Sequence, residues 1–137
     1  MKDFKMATTS DPIADLLSRI RNALMRRAAS TSVPYSRLKE KILLLLKKEG
    51  YIQEVQKEEV KQGFCLTVTL RYYEGEPVIQ GLKGVSKPGR RFYSPAKNLP
   101  HVLSGHGMAV VSTSQGLMTD HEARKRKLGG EILFSVW

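Results

Sequence analysis

A single cysteine, Cys65, leaves the 137-residue chain without an internal disulfide, which suits a reducing compartment. Cys65 sits in a strand-like stretch with no histidine or basic neighbour, so it reads as a structural thiol rather than a nucleophile. Long apolar runs are also lacking. The longest, residues 42–46, is far short of the ~20 residues that cross a bilayer as a helix, and residues 1–10 are too polar for a signal peptide. The expectation is a chain with no membrane partner, in the cytoplasm or in an organelle matrix after import. Acidic residues are scarce: 13 Asp and Glu against 23 Lys and Arg, a formal net charge of +10. That much self-repulsion in a small protein points to a polyanionic partner. The excess is uneven, with 14 basic and 10 acidic residues over 1–82 and 9 basic and 3 acidic over 83–137. The second half is therefore the expected anion-facing half.

Signatures of catalysis are missing as well. There is no Walker loop, dinucleotide fingerprint, nucleophile elbow or zinc-ligand spacing. His101, His106 and His121 lack the cysteine or acidic partners of a metal site. A triad of Ser114, His106 and Asp120 has no more support than a chance grouping. No catalytic residue, metal or cofactor is expected.

Periodicity supplies the fold class. Asp11 caps and Pro12 opens a helix with Ile13, Leu16, Leu17, Ile20 and Leu24 on one face. A short extended piece, residues 31–35, is interrupted by Pro34. Ser36 caps a second helix with the stripe Leu38, Ile42, Leu45 and Leu46, ended by Gly50. Residues 51–56 read as a strand, 57–63 as a polar turn, and 64–72 as an alternating strand that completes a hairpin. Glu74-Gly75-Glu76-Pro77 is the predicted boundary.

Beyond it come extended residues 78–85 broken by glycines, a basic turn Lys87-Pro88-Gly89-Arg90, and an extended start at Phe92 and Tyr93. At most one helical turn is expected at 99–103. A short apolar strand at 108–112 leads into a small polar loop at 112–116. Thr119 caps a short helix over 120–127, and a final strand covers 131–137. The predicted architecture is α+β: an extension over residues 1–9, a helix–strand–helix–hairpin subdomain over 10–76, and a mostly β subdomain with short helices over 77–137. Each half is small enough that the two are expected to pack together.

Two segments point to nucleic acid. Lys83, Lys87, Arg90 and Arg91 surround a Pro-Gly turn beside Tyr93, placing cations for phosphates next to a ring that stacks on bases. The loop Ser112-Thr113-Ser114-Gln115-Gly116 carries three hydroxyls, an amide and a glycine but no charge, which suits base edges and ribose hydroxyls. By composition alone an ordinary polar turn describes that loop better. The run Arg124-Lys125-Arg126-Lys127 complements a helix C-terminus and lies within reach of phosphate. Gly81-Leu82-Lys83-Gly84 matches a backbone-clamping Gly-x-x-Gly loop, but its strand-like flanks make the match accidental.

Four ordered motifs then carry a resemblance. Asp11-Pro12-Ile13-Ala14-Asp15-Leu16-Leu17-Ser18-Arg19-Ile20-Arg21-Asn22-Ala23 resembles the opening helix of the bacterial-type small-subunit ribosomal protein eight family. Val85-Ser86-Lys87-Pro88-Gly89-Arg90-Arg91-Phe92-Tyr93 resembles its central turn. Val111-Ser112-Thr113-Ser114-Gln115-Gly116-Leu117-Met118-Thr119-Asp120 resembles its signature loop and the helix after it. Leu128-Gly129-Gly130-Glu131-Ile132-Leu133 resembles its last strand. The resemblance implies two α+β subdomains and a structural, non-enzymatic constituent of the small ribosomal subunit, which binds the central domain of its ribosomal RNA and helps assembly. Partners would be that RNA, neighbouring small-subunit proteins and, in some members, the protein's own messenger RNA, whose translation is repressed. It implies RNA contacts by Ser112, Thr113, Ser114 and Gly116, with Tyr93 and Glu131 nearby and with Lys83, Lys87, Arg90 and Arg91 supplying charge. Gln115 and Gly84 stand where the family commonly carries basic residues. The rival readings are a messenger-RNA regulator, a DNA-binding protein, against which neither long helix reads as a recognition helix, and a hydrolase using a histidine.

Overall fold

The computed structural model describes residues 11–137; the predicted extension over 1–9 lies outside the described residues. The fold is α+β, and every paired strand is antiparallel. The chain separates into two compact units, divided between Val78 and Ile79.

In the first unit, helix α1 covers Pro12–Met25, with the Asp11 side chain accepting from the Ala14 N–H at 3.0 Å. This is the cap that Asp11-Pro12 predicts. Ile13, Leu16, Leu17, Ile20 and Ala23 are buried; each large aliphatic side chain removed from water contributes about 1.5–3 kcal/mol. Strand β1, Ser30–Pro34, leads to α2, Arg37–Lys48, whose N-terminus is capped by Ser36 through the Lys39 N–H. Strands β2, Ile52–Val60, and β3, Gly63–Leu70, follow, and the sheet order is β1-β3-β2.

Two expectations fail here. Residues 57–60, read as a turn, continue β2. Pairing with β3 satisfies the backbone groups that face it along this edge strand, and the side chains gain partners on an exposed ribbon. Lys57 Nζ sits 4.2 Å from the Tyr35 ring centroid and 4.6 Å from that of Phe64, and Thr67 donates to Glu58 at 2.8 Å. Charge alone does not end a strand whose ladder is complete. Leu38, placed in the core stripe, is exposed, and Lys39 is buried instead. The buried positions are Lys39, Ile42, Leu43 and Leu46, a helical face rotated by one residue.

The Lys39 stem fills this face, and its ammonium donates to the Pro34 carbonyl at 3.3 Å. Burial pushes its pKa below the ordinary lysine value; Asp15 opposes that push and Arg19 adds to it. Lys39→Met is expected to equal or exceed the natural chain in stability at neutral pH, by up to about 1 kcal/mol. As pH rises through the lowered folded-state pKa, the folded chain has released a proton that the unfolded chain still holds, so the natural chain gains stability. The advantage of Lys39→Met over the natural chain should therefore shrink in alkaline urea titrations. An advantage that stays flat with pH would refute this account.

The unit ends in a small hairpin of β4, Tyr72–Tyr73, and β5, Glu76–Pro77. Glu74 and Gly75 form its turn with φ of 51° and 84°, the paired positive values that two-residue hairpins favour. Arg27 donates to the Gly75 carbonyl and pairs with Glu76 at 3.2 Å. Tyr72 donates to the Ala28 carbonyl at 2.6 Å.

The second unit is built on one sheet in the order β6-β10-β8-β9, with β7 also paired to β10. Its strands are β6, Leu82–Gly84; β7, Tyr93–Ser94; β8, Met108–Thr113; β9, Gly116–Thr119; and β10, Gly130–Val136. Helix α3, Asp120–Lys125, follows β9 directly. Short 3-10 turns occupy Ala96–Asn98 and Leu103–Gly105 in place of the single turn expected at 99–103. Leu99, Val102, Ala109, Val111, Met118, Ala123 and Ile132 form one buried cluster. Strand β9 was not expected: its four residues run from a turn glycine to a capping threonine, and turn chemistry masks so short a strand. Strand β10 carries a bulge at Leu133, since Ile132 and Phe134 face the consecutive residues Val111 and Val110.

Asp120 is fully buried at the start of α3. Ala109 lies one residue beyond the last β8–β9 pair, Val110 with Thr119. The Asp120 carboxylate accepts the Ala109 N–H at 2.9 Å and pairs with Arg124 at 2.7 Å. No helix among the described residues is long and apolar enough to cross a membrane.

Candidate nucleic-acid interface

Strand register assembles the candidate residues. Tyr93 lies opposite Glu131, and Glu131 opposite Ser112, so the three share one face of the sheet across β7, β10 and β8. Leu117 extends the row on β9. The neighbouring row, Ser94, Gly130, Thr113 and Gly116, ends in the β8–β9 turn. That turn has Ser114 and Gln115 at its corners and Gly116 at φ 110°, a backbone value that side chains disfavour.

The three hydroxyls of the loop have different duties. Thr113 Oγ1 donates to the Gly116 carbonyl at 2.8 Å and accepts the Gln115 N–H at 3.1 Å. Thr113 therefore shapes the turn; its one hydroxyl hydrogen is committed there, which leaves a lone pair for a ligand. Ser112 and Ser114 have no side-chain hydrogen bond to any described residue, and Ser114 is exposed. Gln115 accepts from Arg126 at 3.4 Å, while Arg126 also pairs with Glu122 at 2.6 Å. A guanidinium thus stands beside the neutral turn, supplied from the end of α3.

The basic turn is tied to the same row. Lys87 and Arg90 exchange backbone hydrogen bonds of 3.1 and 2.8 Å around Pro88 and Gly89. The buried Ser86 hydroxyl accepts the Phe92 N–H at 2.9 Å and so closes the loop at its base. Arg91 pairs with Glu131 at 3.3 Å, an exposed ion pair that contributes little stability but holds the loop's cation over the Tyr93–Ser112 row. Tyr93 is 68% exposed and Phe92 53%, so two rings with open faces flank the cations.

Lys83 is not brought to this end. It pairs with Ser135, about 13 Å along β10 from Glu131 at the usual rise per residue. Arg124, counted in the basic run, is largely committed within the fold: besides Asp120 it donates to the Leu99 and Pro100 carbonyls at 3.5 and 3.3 Å. The helix ends at Lys125 rather than Lys127, which takes φ 59°. Gly81 does not clamp a backbone; the Trp137 indole fills the space its side chain would occupy. Sequence reasoning missed Lys97, which carries no motif and is placed near the basic run only by the fold.

Two of the three histidines contact a neighbouring polar group. His106 Nδ1 lies 2.9 Å from the Leu103 carbonyl and His121 Nδ1 3.3 Å from Arg124. No hydrogen bond joins Ser114, His106 and Asp120 to one another. No group of three or more His, Cys, Asp or Glu among the described residues is placed to hold a metal.

Comparison with known proteins gives a consistent result. Residues 11–137 match the family model described as Ribosomal protein S8. The chain is 48% identical over 131 residues to the small ribosomal subunit protein uS8 of Nitrobacter hamburgensis, covering 95% of this chain and 99% of that one. It is also 48% identical over 131 residues to the protein of the same name from Rhodopseudomonas palustris, with the same coverage. The uS8 of Mesorhizobium japonicum is 46% identical over 129 residues, covering 93% of this chain and 98% of its own.

Proposed function

This chain belongs to the ribosomal protein S8 family, and from that premise we propose that it is a structural, non-enzymatic constituent of the small ribosomal subunit in the cytoplasm. It binds the central domain of the small-subunit ribosomal RNA through its C-terminal unit, aids assembly there, and lies beside other small-subunit proteins. The observation that carries the reading is the in-register row Tyr93, Glu131 and Ser112, continued by the free Ser114 hydroxyl and flanked by Lys87, Arg90 and Arg91.

The division of labour follows from chemistry. Ser112 and Ser114 exchange hydrogen bonds with base edges and ribose hydroxyls at close range. Gly116 and Thr113 hold the turn that presents them. Tyr93 stacks on an exposed base. Glu131 orients Arg91 and accepts from a base amino group. Lys87, Arg90 and, more distantly, Lys83 neutralise phosphates and draw the RNA in without reading it.

Ser114→Ala is expected to weaken binding to a central-domain RNA fragment by about 1 kcal/mol, roughly fivefold, because an RNA group loses its partner. Filter binding at fixed salt measures this. Unchanged affinity would remove the turn from the interface.

A further inference from the structure

An open cavity of about 570 Å³ is lined by Pro95, Ala96, Lys97, Arg124 and Lys127. Its walls come from two stretches forced together. A side-chain carbon on Gly129 would lie 2.5 Å from the Ser94 carbonyl oxygen and 2.8 Å from Pro95 Cα, so only glycine permits this approach. Lys127, just past the Arg126 cap of α3, takes φ 59°, a conformation that the residue after a helix cap ordinarily gives to glycine. A lysine there incurs strain that a purely structural stop would avoid.

Three of the five lining residues are cations and none is acidic. Arg124 is fixed by Asp120 and the Leu99 and Pro100 carbonyls. Lys97 and Lys127 are exposed and pair with no carboxylate among the described residues. Pro95 and Ala96 add an apolar floor. We propose that this cavity holds a phosphodiester segment of RNA, with Lys97 and Lys127 on the phosphate oxygens and a ribose or base edge against Pro95 and Ala96.

Position favours RNA over an acidic protein segment. Ser94, at the cavity's edge, shares a strand row with Gly130, Thr113 and Gly116. The cavity and the β8–β9 turn therefore stand only about 10–14 Å apart, two to three strand spacings. One polyanion serves both. The inference deepens the preceding reading and rests on it only for the identity of that polyanion.

The test is Lys97→Gln with Lys127→Gln, two exposed changes that leave the buried cluster untouched. Binding of the full chain to the central-domain RNA fragment is followed across salt concentrations. Losing two phosphate contacts makes the plot of log affinity against log salt shallower by about 1.5, whereas Ser114→Ala lowers affinity without altering the slope. A double variant with the natural slope overturns the proposal. If the double variant flattens the slope but Ser114→Ala changes nothing, the cavity stands and the turn assignment falls. A second arm titrates isotope-labelled protein with a short oligouridylate or with polyglutamate. Shifts in the Ala96, Lys97, Lys127 and Leu128 amides with the oligouridylate are expected. Shifts with polyglutamate alone would make the cavity a protein-docking site and overturn the proposal.

Discussion

Asp120→Ala is expected to destabilise the C-terminal unit by about 3 kcal/mol, in the range seen when one partner of a buried pair is removed. The carboxylate is fully buried and has two duties. It takes the Ala109 N–H one residue beyond the last β8–β9 pair, and it balances the Arg124 guanidinium. Alanine leaves the buried Ala109 N–H without an acceptor, which costs about 1–3 kcal/mol, and takes the counter-charge from Arg124, which keeps the Leu99 and Pro100 carbonyls. Asp120→Asn keeps an oxygen for Ala109 while losing the charge, so its loss should be about half as large. Urea unfolding followed through Trp137, the single tryptophan, reports on this unit. A midpoint shift worth less than 1 kcal/mol for the alanine variant would show that Asp120 does not hold the strand-to-helix junction together.

Gly130→Ala carries the second large effect, and it couples stability to the interface. A methyl at Gly130 would lie 2.2 Å from the Ser112 carbonyl oxygen and 2.9 Å from its carbonyl carbon. No side-chain rotation relieves a clash with backbone, so β8 and β10 must part. The expected cost is about 3 kcal/mol, the upper end for overpacking. Because the displaced residue is Ser112, RNA affinity should fall together with thermal stability. Gly89→Ala is the stability control: nothing lies within 4 Å of a side-chain carbon there, so it should be close to neutral in thermal stability. If Gly130→Ala also proved neutral, the close approach of the two strands would be wrong.

Local chemistry made much of the fold legible. Asp11, Ser36 and Thr119 all cap the helices they were expected to cap, because a capping bond spans three residues and is written in adjacent letters. Alternation identified β3 and β10. What escaped depends on rotation or on distant partners. A leucine-rich helix offers two neighbouring apolar faces, and packing chose the one with Lys39 over the one with Leu38. The charged half of β2 became strand because β3 lay beside it. The Leu133 bulge arises from pairing with β8 and leaves no mark in alternation. The candidate site was legible only in pieces. Residues 93, 112 and 131 come together through strand register, which no local pattern encodes; the family resemblance named them together, and the pairing supplies the physical reason. Lys97 and the cavity were invisible because the close approach at Gly129 creates them.

The bonds made by Thr113 bear on how quickly any occupant is accepted. The bend at residues 114–115 is already closed before an occupant arrives, by one hydroxyl that both gives and receives. Docking therefore freezes little additional motion, and the ordering penalty that slows and weakens recognition by mobile loops is largely absent. Removing that hydroxyl would leave the surface chemically almost intact while returning the bend to a spread of shapes, a loss that would show as slower capture rather than as a missing contact.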